Sequence, residues 1–459
     1  WLKPFGLPRR GHARRGTAAP ARNRAPSMPH GAVPLIAAAV LLAAGAARAK
    51  ECDGMHHGTP PEDQAAAPTL EEYEAALKTL DVDALKKDVE ALLTDSKECW
   101  PADFGSYGPL FVRLAWHCSG SFRKSDGRGG CGGGRQRFEP ERSWADNTNL
   151  DKARALLYPL KEKYGHSLSW GDLFITAGST ALRSAGAPIS KICFGRIDDP
   201  NGTASALLGP TPEQEKVAPC AINGQCKQPL GSTTIGLIYL NPEGPVTEKD
   251  GKPNPDPALS ARDVRDSFLR MEHGDRATVA LIGGGHALGK AHGACPAGAG
   301  PPPSEAYKTT PLGTPWPGLC GSGKGNDTFT AGFEGPWTTR PLRWDNEYFR
   351  DLLGQQWEKH VGPGGHWQWR IKDAPPEKAG LMRLTSDMAL LHDPVYLQVA
   401  KEFAEDMKAF NEAFDDAWFK LTVTNGNLWS AAARCDTGPF VESLRSTPTM
   451  LSSDAELIV

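Results

Sequence analysis

Residues 107–122 read YGPLFVRLAWHCSGSF. Helical spacing sets Arg113, Trp116 and His117 at i, i+3 and i+4, so a cation, an indole and an imidazole project from one face. Such groups on the apolar side of a helix are costly to bury unless something polar receives them. Alone, a His beside an Arg is more often a satisfied core pair, so the motif needs a partner. One lies downstream in residues 279–293, VALIGGGHALGKAHG, a helix whose triple glycine lets a flat body approach the backbone beside His286. These glycines neither follow a strand in a βαβ unit nor match G-x-x-x-x-G-K-[ST], which weakens a nucleotide reading. Asp387, in RLTSDMALLHDP, offers a carboxylate to the second imidazole N–H, and Trp337, in GFEGPWTTRPLRW, offers an indole, although a Trp is core by default. Two such histidines about 170 residues apart point to a plate-like cofactor between two helices.

The surroundings of these motifs are helical. Apolar residues recur at helical spacing over 70–95, 107–118, 150–163, 170–183, 261–271, 276–292, 343–360 and 396–421. Strand signals are sparse, with IGLIYL at 235–240 the best of them. The expected fold is all-α: mostly helix, minor β, and long Gly/Pro-rich connections at 119–149, 184–234 and 294–336. The chain has 459 residues, enough for one large core or two ordinary ones, and its 39% hydrophobic content excludes a disordered or fibrous protein. No internal repeat is visible. No basic stripe interleaved with aromatics occurs beyond the N-terminal end, so nucleic acid is not an expected partner.

Residues 1–49 carry eight Lys and Arg and no Asp or Glu. Residues 1–27 read as upstream read-through. Residues 28–49 read as a signal peptide, with an apolar run from Ala32 to Ala47 and cleavage after Ala49. That run is shorter than the ~20 residues of a membrane span. Without this segment the balance is 43 Lys and Arg against 54 Asp and Glu, an acidic chain. Residues 50–68 read as a linker, where the pair His56-His57 is expected to be solvated rather than to bind metal. All ten cysteines follow Ala49, and sequons start at Asn201 and Asn326, which suits a secreted or endomembrane address. Cys220 and Cys226 flank a short turn and form the expected local bridge, whereas Cys118, beside His117, is expected as a buried thiol. No C-x-x-C pair supports a zinc ribbon.

In family order over roughly residues 70–425, RLAWH, DGRGG, SWADNTNLDKAR, GLIYLNPEGP and GGGHALGKAHG resemble the catalase-peroxidases of the plant, fungal and bacterial heme peroxidase superfamily. The resemblance implies a heme peroxidase domain over 69–425, with one heme b per chain between a distal and a proximal helix. Arg113, Trp116 and His117 would be distal; His286 would be the axial ligand of the iron, with Trp337 and Asp387 proximal. Gly285, Lys290 and His292 would contact the heme, Asn147 would bond the distal His, and Asp146 would sit in the access channel. Trp116, Tyr239 and Met271 match three side chains that are covalently linked beside the heme in the family. They favour a bifunctional enzyme: a catalase, turning two hydrogen peroxides into oxygen and water through a ferryl intermediate, and a peroxidase toward small aromatic or phenolic donors.

The chain also departs from the pattern. Thr424 stands where the family has a mobile arginine that reaches the linked Tyr phenolate, which favours the alternative of a peroxidase without appreciable catalase activity, resembling the ascorbate and cytochrome c branches. A divergent tail at 426–459 follows, where the family usually adds a second, heme-free copy of the domain. That copy is expected to be missing here, so a homodimer has no support from the sequence. A non-catalytic relic of a duplicated gene is the remaining alternative, and its only support is the divergent tail and the ragged N-terminus.

Overall fold

The computed structural model describes residues 68–97, 102–124, 126–139, 141–143, 147, 150–206, 208, 244, 246–249, 252–291, 333, 335–362, 367–424, 429–441 and 444. Eleven α-helices stand among them: α1 Leu70–Leu77, α2 Val82–Leu93, α3 Gly108–Ser119, α4 Leu150–Tyr164, α5 Trp170–Ser184, α6 Pro257–Arg270, α7 Asp275–Gly285, α8 Glu347–Gly354, α9 Thr385–His392, α10 Pro394–Glu405 and α11 Met407–Val423. The fold is the mostly α one expected. The strands are short: β1 Cys193–Arg196, β2 Val246–Lys249, β3 Lys252–Pro255, β4 Lys290–Ala291, β5 Gly335–Pro336, β6 Trp357–Val361, β7 Trp367–Ile371, β8 Met382–Arg383 and β9 Trp429–Cys435. All pair antiparallel, β6-β7-β8 in one sheet and β1-β9, β2-β3 and β4-β5 as two-stranded ribbons. The segment 235–240 lies outside the described residues.

Helix boundaries follow capping chemistry more than apolar periodicity. The stretch 70–95 divides because Asp81 caps α2, accepting the Ala84 N–H at 2.9 Å, while Thr69 and Glu72 form a capping box on α1. The stretch 396–421 divides at Asp406, which accepts from the N–H groups of Lys408 and Ala409 and starts α11. Within 343–360 only α8 is helical; after Gly354 the alternating WEKHV forms β6 and pairs with WQWRI in β7. Periodicity missed α9 for a physical reason: Thr385 to Leu390 are all buried, so its sequence shows no polar face.

The main apolar core runs from Tyr73 in α1 to Leu421 in α11. α3 lies along α5 at close range: a Cβ at Gly178 would stand 2.5 Å from Ala115 Cβ. α11 packs against both α3 and α7, and so ties the two helices that carry the motif histidines. Asp172 of α5 anchors the far side. Fully buried, it accepts from Arg196 Nη1 (2.7 Å), Tyr73 Oη (2.9 Å) and the Gly195 N–H (2.7 Å).

Candidate active site

Phe111, Leu114, Ala115 and Cys118 of α3 are buried against the core, while Arg113, Trp116 and His117 stay half-buried on another face. His117 Nδ1 lies 3.0 Å from Asn147 Oδ1, and Asn147 Nδ2 donates to the Glu141 carbonyl at 2.8 Å. The second bond fixes the amide orientation, so Oδ1 accepts and Nδ1 carries the hydrogen. His117 Nε2 is thereby left as a base. Burial and then the Arg113 charge hold the imidazole well below its usual pKa, so it stays neutral. Trp116 stacks on Phe268 of α6, centroids 5.5 Å apart. Met271 is buried at the end of α6, its sulfur 3.7 Å from where a Cβ on Gly120 would stand, and the Gly120 N–H donates to the Trp116 carbonyl. Met271 therefore sits beside Gly120, which follows Trp116 by one turn of α3. Asp146 and Tyr239 lie outside the described residues.

Two features here escaped the sequence reading. Cys118 is not a thiol: it forms a disulfide with Cys131, and a second disulfide joins Cys193 to Cys435. Cys131 sits in a Gly-rich loop that offers no periodic signal, so only the fold brings the two cysteines together. Cys220 and Cys226 lie outside the described residues. Glu141, whose carbonyl orients Asn147, is also buried, with its Oε1 taking the Ser205 hydroxyl at 2.5 Å and lying 3.5 Å from Arg135 Nε. Burial pushes its carboxyl up, against the opposing pull of Arg135 and Ser205.

On the other side, α7 ends at Gly285 and His286 caps it, its N–H donating to the Ile282 carbonyl at 2.9 Å. His286 Nδ1 is 2.7 Å from Asp387 Oδ1. Burial works to raise the Asp387 carboxyl, but His286, Arg383 and Tyr348 outweigh it and hold it below the usual range. An ionised carboxylate only accepts, so His286 donates through Nδ1 and Nε2 is free to ligate. Trp337 stacks on His286 at 3.8 Å with rings 4° from parallel. Lys290 is half-buried in β4, and His292 lies outside the described residues.

The triple glycine divides its work, against the expectation that it serves one flat ligand. A Cβ at Gly283 would meet Phe349 Cζ at 2.1 Å, and one at Gly284 would meet Phe414 Cε2 at 2.2 Å. Those two glycines admit aromatic rings of α8 and α11. Gly285 alone has nothing within 4 Å of such a Cβ.

The donor set fits heme. Among the described residues no group of three or more His, Cys, Asp or Glu could hold a bare ion, whereas one histidine with a free Nε2 suits a metal already held by a macrocycle. The open space at Gly285 stands beside that histidine. A family model for peroxidases matches residues 85–406. This chain belongs to the peroxidase family. Heme b is the cofactor that membership implies. The chain is 46% identical to catalase-peroxidases of Salinibacter ruber, Saccharopolyspora erythraea and Halobacterium salinarum, over 76% of its own length. It spans about half the length of these curated relatives, 49–50%. Among its described residues no helix is long and apolar enough to cross a membrane.

Proposed function

We propose that this peroxidase-family chain consumes hydrogen peroxide with heme b, as a peroxidase toward small aromatic or phenolic donors and as a catalase that makes oxygen and water from two peroxides. The observation that carries this reading is a pair of histidines on two helices, each with its tautomer fixed by a partner: His117 by Asn147 at 3.0 Å and His286 by Asp387 at 2.7 Å. The kinship with catalase-peroxidases supports the second activity.

Heme, when bound, supplies the iron at which the peroxide O–O bond is broken. His286 Nε2 would hold the iron, with Trp337, stacked on the His286 ring, and the open space at Gly285 beside it. Neutral His117 takes a proton from peroxide at Nε2 and returns it to the leaving oxygen. Asn147 keeps the other nitrogen protonated throughout, so the accepting position never moves. Arg113 stabilises the negative charge that grows on the leaving oxygen. Asp387 draws on the His286 N–H and gives the ring imidazolate character.

A second reading, peroxidase without catalase activity, is favoured by Thr424. It caps α11 with its N–H on the Lys420 carbonyl at 3.0 Å and brings no charge. Oxygen release and donor oxidation by the heme-loaded chain test both readings, beside His117→Leu and Tyr239→Phe. His117→Leu is expected to slow the reaction with peroxide about 10²–10⁴-fold while heme stays bound. Oxygen release that collapses in Tyr239→Phe supports the bifunctional enzyme; donor oxidation without oxygen supports the second reading. Failure to bind one heme per chain leaves the non-catalytic relic. The proposed address is the secretory route, which the two disulfides support. A mature chain beginning at Lys50 and carrying a glycan at exposed Asn201 is the expected product.

A further inference from the structure

Asp387 serves more than His286. Its Oδ1, which accepts from His286 Nδ1 at 2.7 Å, also accepts the Tyr348 hydroxyl at 2.6 Å, while Oδ2 takes the Leu384 N–H at 2.7 Å. Tyr348 and Asp387 are both 0% exposed, so no water competes for these bonds. The phenol ring stands edge-on to His286, centroids 5.9 Å apart. Its face is covered by the Arg383 guanidinium, 4.4 Å from the ring centroid. Arg383, also 0% exposed, is pinned by the carbonyls of Trp337 (2.7 Å), Met382 (2.8 Å) and Tyr348 (3.1 Å).

A buried tyrosine has to place its hydroxyl somewhere, and a carboxylate is a good acceptor. The choice of oxygen gives this contact a further consequence. Two donors on one oxygen share its charge, so what the phenol draws is withheld from the imidazole. A cation over the ring strengthens the phenol as a donor by drawing on its π electrons. Resting on the reading that His286 ligates heme iron, we infer that Tyr348, backed by Arg383, is a positioning residue that moderates Asp387 and thereby sets the electron donation of His286 to the iron. Without the phenol, Asp387 bonds His286 more strongly, the imidazolate character rises, and the ferric state gains over the ferrous.

The test is the ferric/ferrous midpoint potential of the heme-loaded chain, with the iron–histidine stretch of the ferrous form as a second readout. Tyr348→Phe keeps the ring and removes only the oxygen. Its potential is expected to fall by the equivalent of about a three- to tenfold shift toward ferric, tenfold being about 59 mV for one electron, and the stretch to rise in frequency. In an Asp387→Asn background the same substitution should move neither. Difluorotyrosine at position 348, a stronger donor with nearly the same shape, should raise the potential and covers the case in which Tyr348→Phe loses heme. An unchanged potential in both position-348 variants, or a shift that persists in the Asp387→Asn background, overturns the inference. A wild-type chain with no iron–histidine stretch overturns the reading of His286 beneath it as well.

Discussion

His117 is half-buried and His273 fully buried, and they face different circumstances. His117 has Asn147 on one nitrogen, whereas His273 is 1% exposed and neither ring nitrogen has a hydrogen-bond partner among the described residues. Burial first, and the charge of Lys420 second, lower the His273 pKa to about 4. An unfolded histidine titrates near 6.5. Between these values the unfolded chain takes up a proton that the native one refuses, so stability is full above pH 6.5 and falls as pH drops toward 4, by about 3 kcal/mol from this residue. Denaturant titrations from pH 7 to 4 should show a shallower acid limb for His273→Leu. His117, held low for the same reason, keeps that limb from vanishing. An identical slope in the variant would rule out His273 as its source. Nothing in MEHGD reveals this depression, because the burial comes from packing and the second contribution from the charge of Lys420, almost 150 residues away in the chain.

At the scale of elements, α7 shows what a motif conceals. GGGHALG reads as backbone approached by one flat body, whereas two of its three glycines face aromatic rings. Alanine at position 284 would gain about 1 kcal/mol of helix propensity. That gain is outweighed, because its Cβ falls 2.2 Å from Phe414 and 2.8 Å from Trp344, whose rings have little freedom to move. Overpacking of this kind costs about 1–3 kcal/mol. Gly284→Ala should therefore lower the melting temperature with or without heme. Gly285→Ala meets nothing within 4 Å and should leave the heme-free chain as stable or more so, while weakening heme binding. Thermal melts paired with heme titrations separate the two, and equal losses in both variants would contradict this division. α9 teaches the complementary lesson. Asp387 was legible as a candidate carboxylate, but its helix was not, because a segment buried on every side has no amphipathic period to read.

Across the whole molecule, β9 closes the domain by returning to β1, 242 residues apart through Cys193–Cys435. Asp436 adds bonds to Arg183 Nη1 (2.6 Å) and the Ile192 N–H (2.8 Å), and Arg434 donates to the Leu80 carbonyl at 2.6 Å. Loss of this disulfide in Cys193→Ser/Cys435→Ser should cost about 2–5 kcal/mol, mostly by freeing the unfolded chain. The expected readouts are a lower melting temperature and faster proteolysis within residues 429–441. Proteolysis at the wild-type rate would show that the hydrogen bonds alone hold the strand. The smaller Cys118–Cys131 ring adjoins His117, so its reduction would act on the site rather than on the closure.

Asn147 came from resemblance to a family motif; the sequence by itself determined the helical class, the two motif histidines with Arg113 and Trp116 beside one of them, and the candidates Trp337 and Asp387. These follow from local rules: helical spacing sets which side chains share a face, and distinctive residue types mark the segments that bring them. Tertiary structure alone decided which glycines face rings and which face open space, that Cys118 meets Cys131, and that Tyr348 shares the oxygen of Asp387 with His286. Each of these joins residues from separate elements whose approach is set by the packing of the whole core. A one-dimensional pattern records which residues are present; which oxygen accepts which proton is fixed only when helices from three parts of the chain close around it.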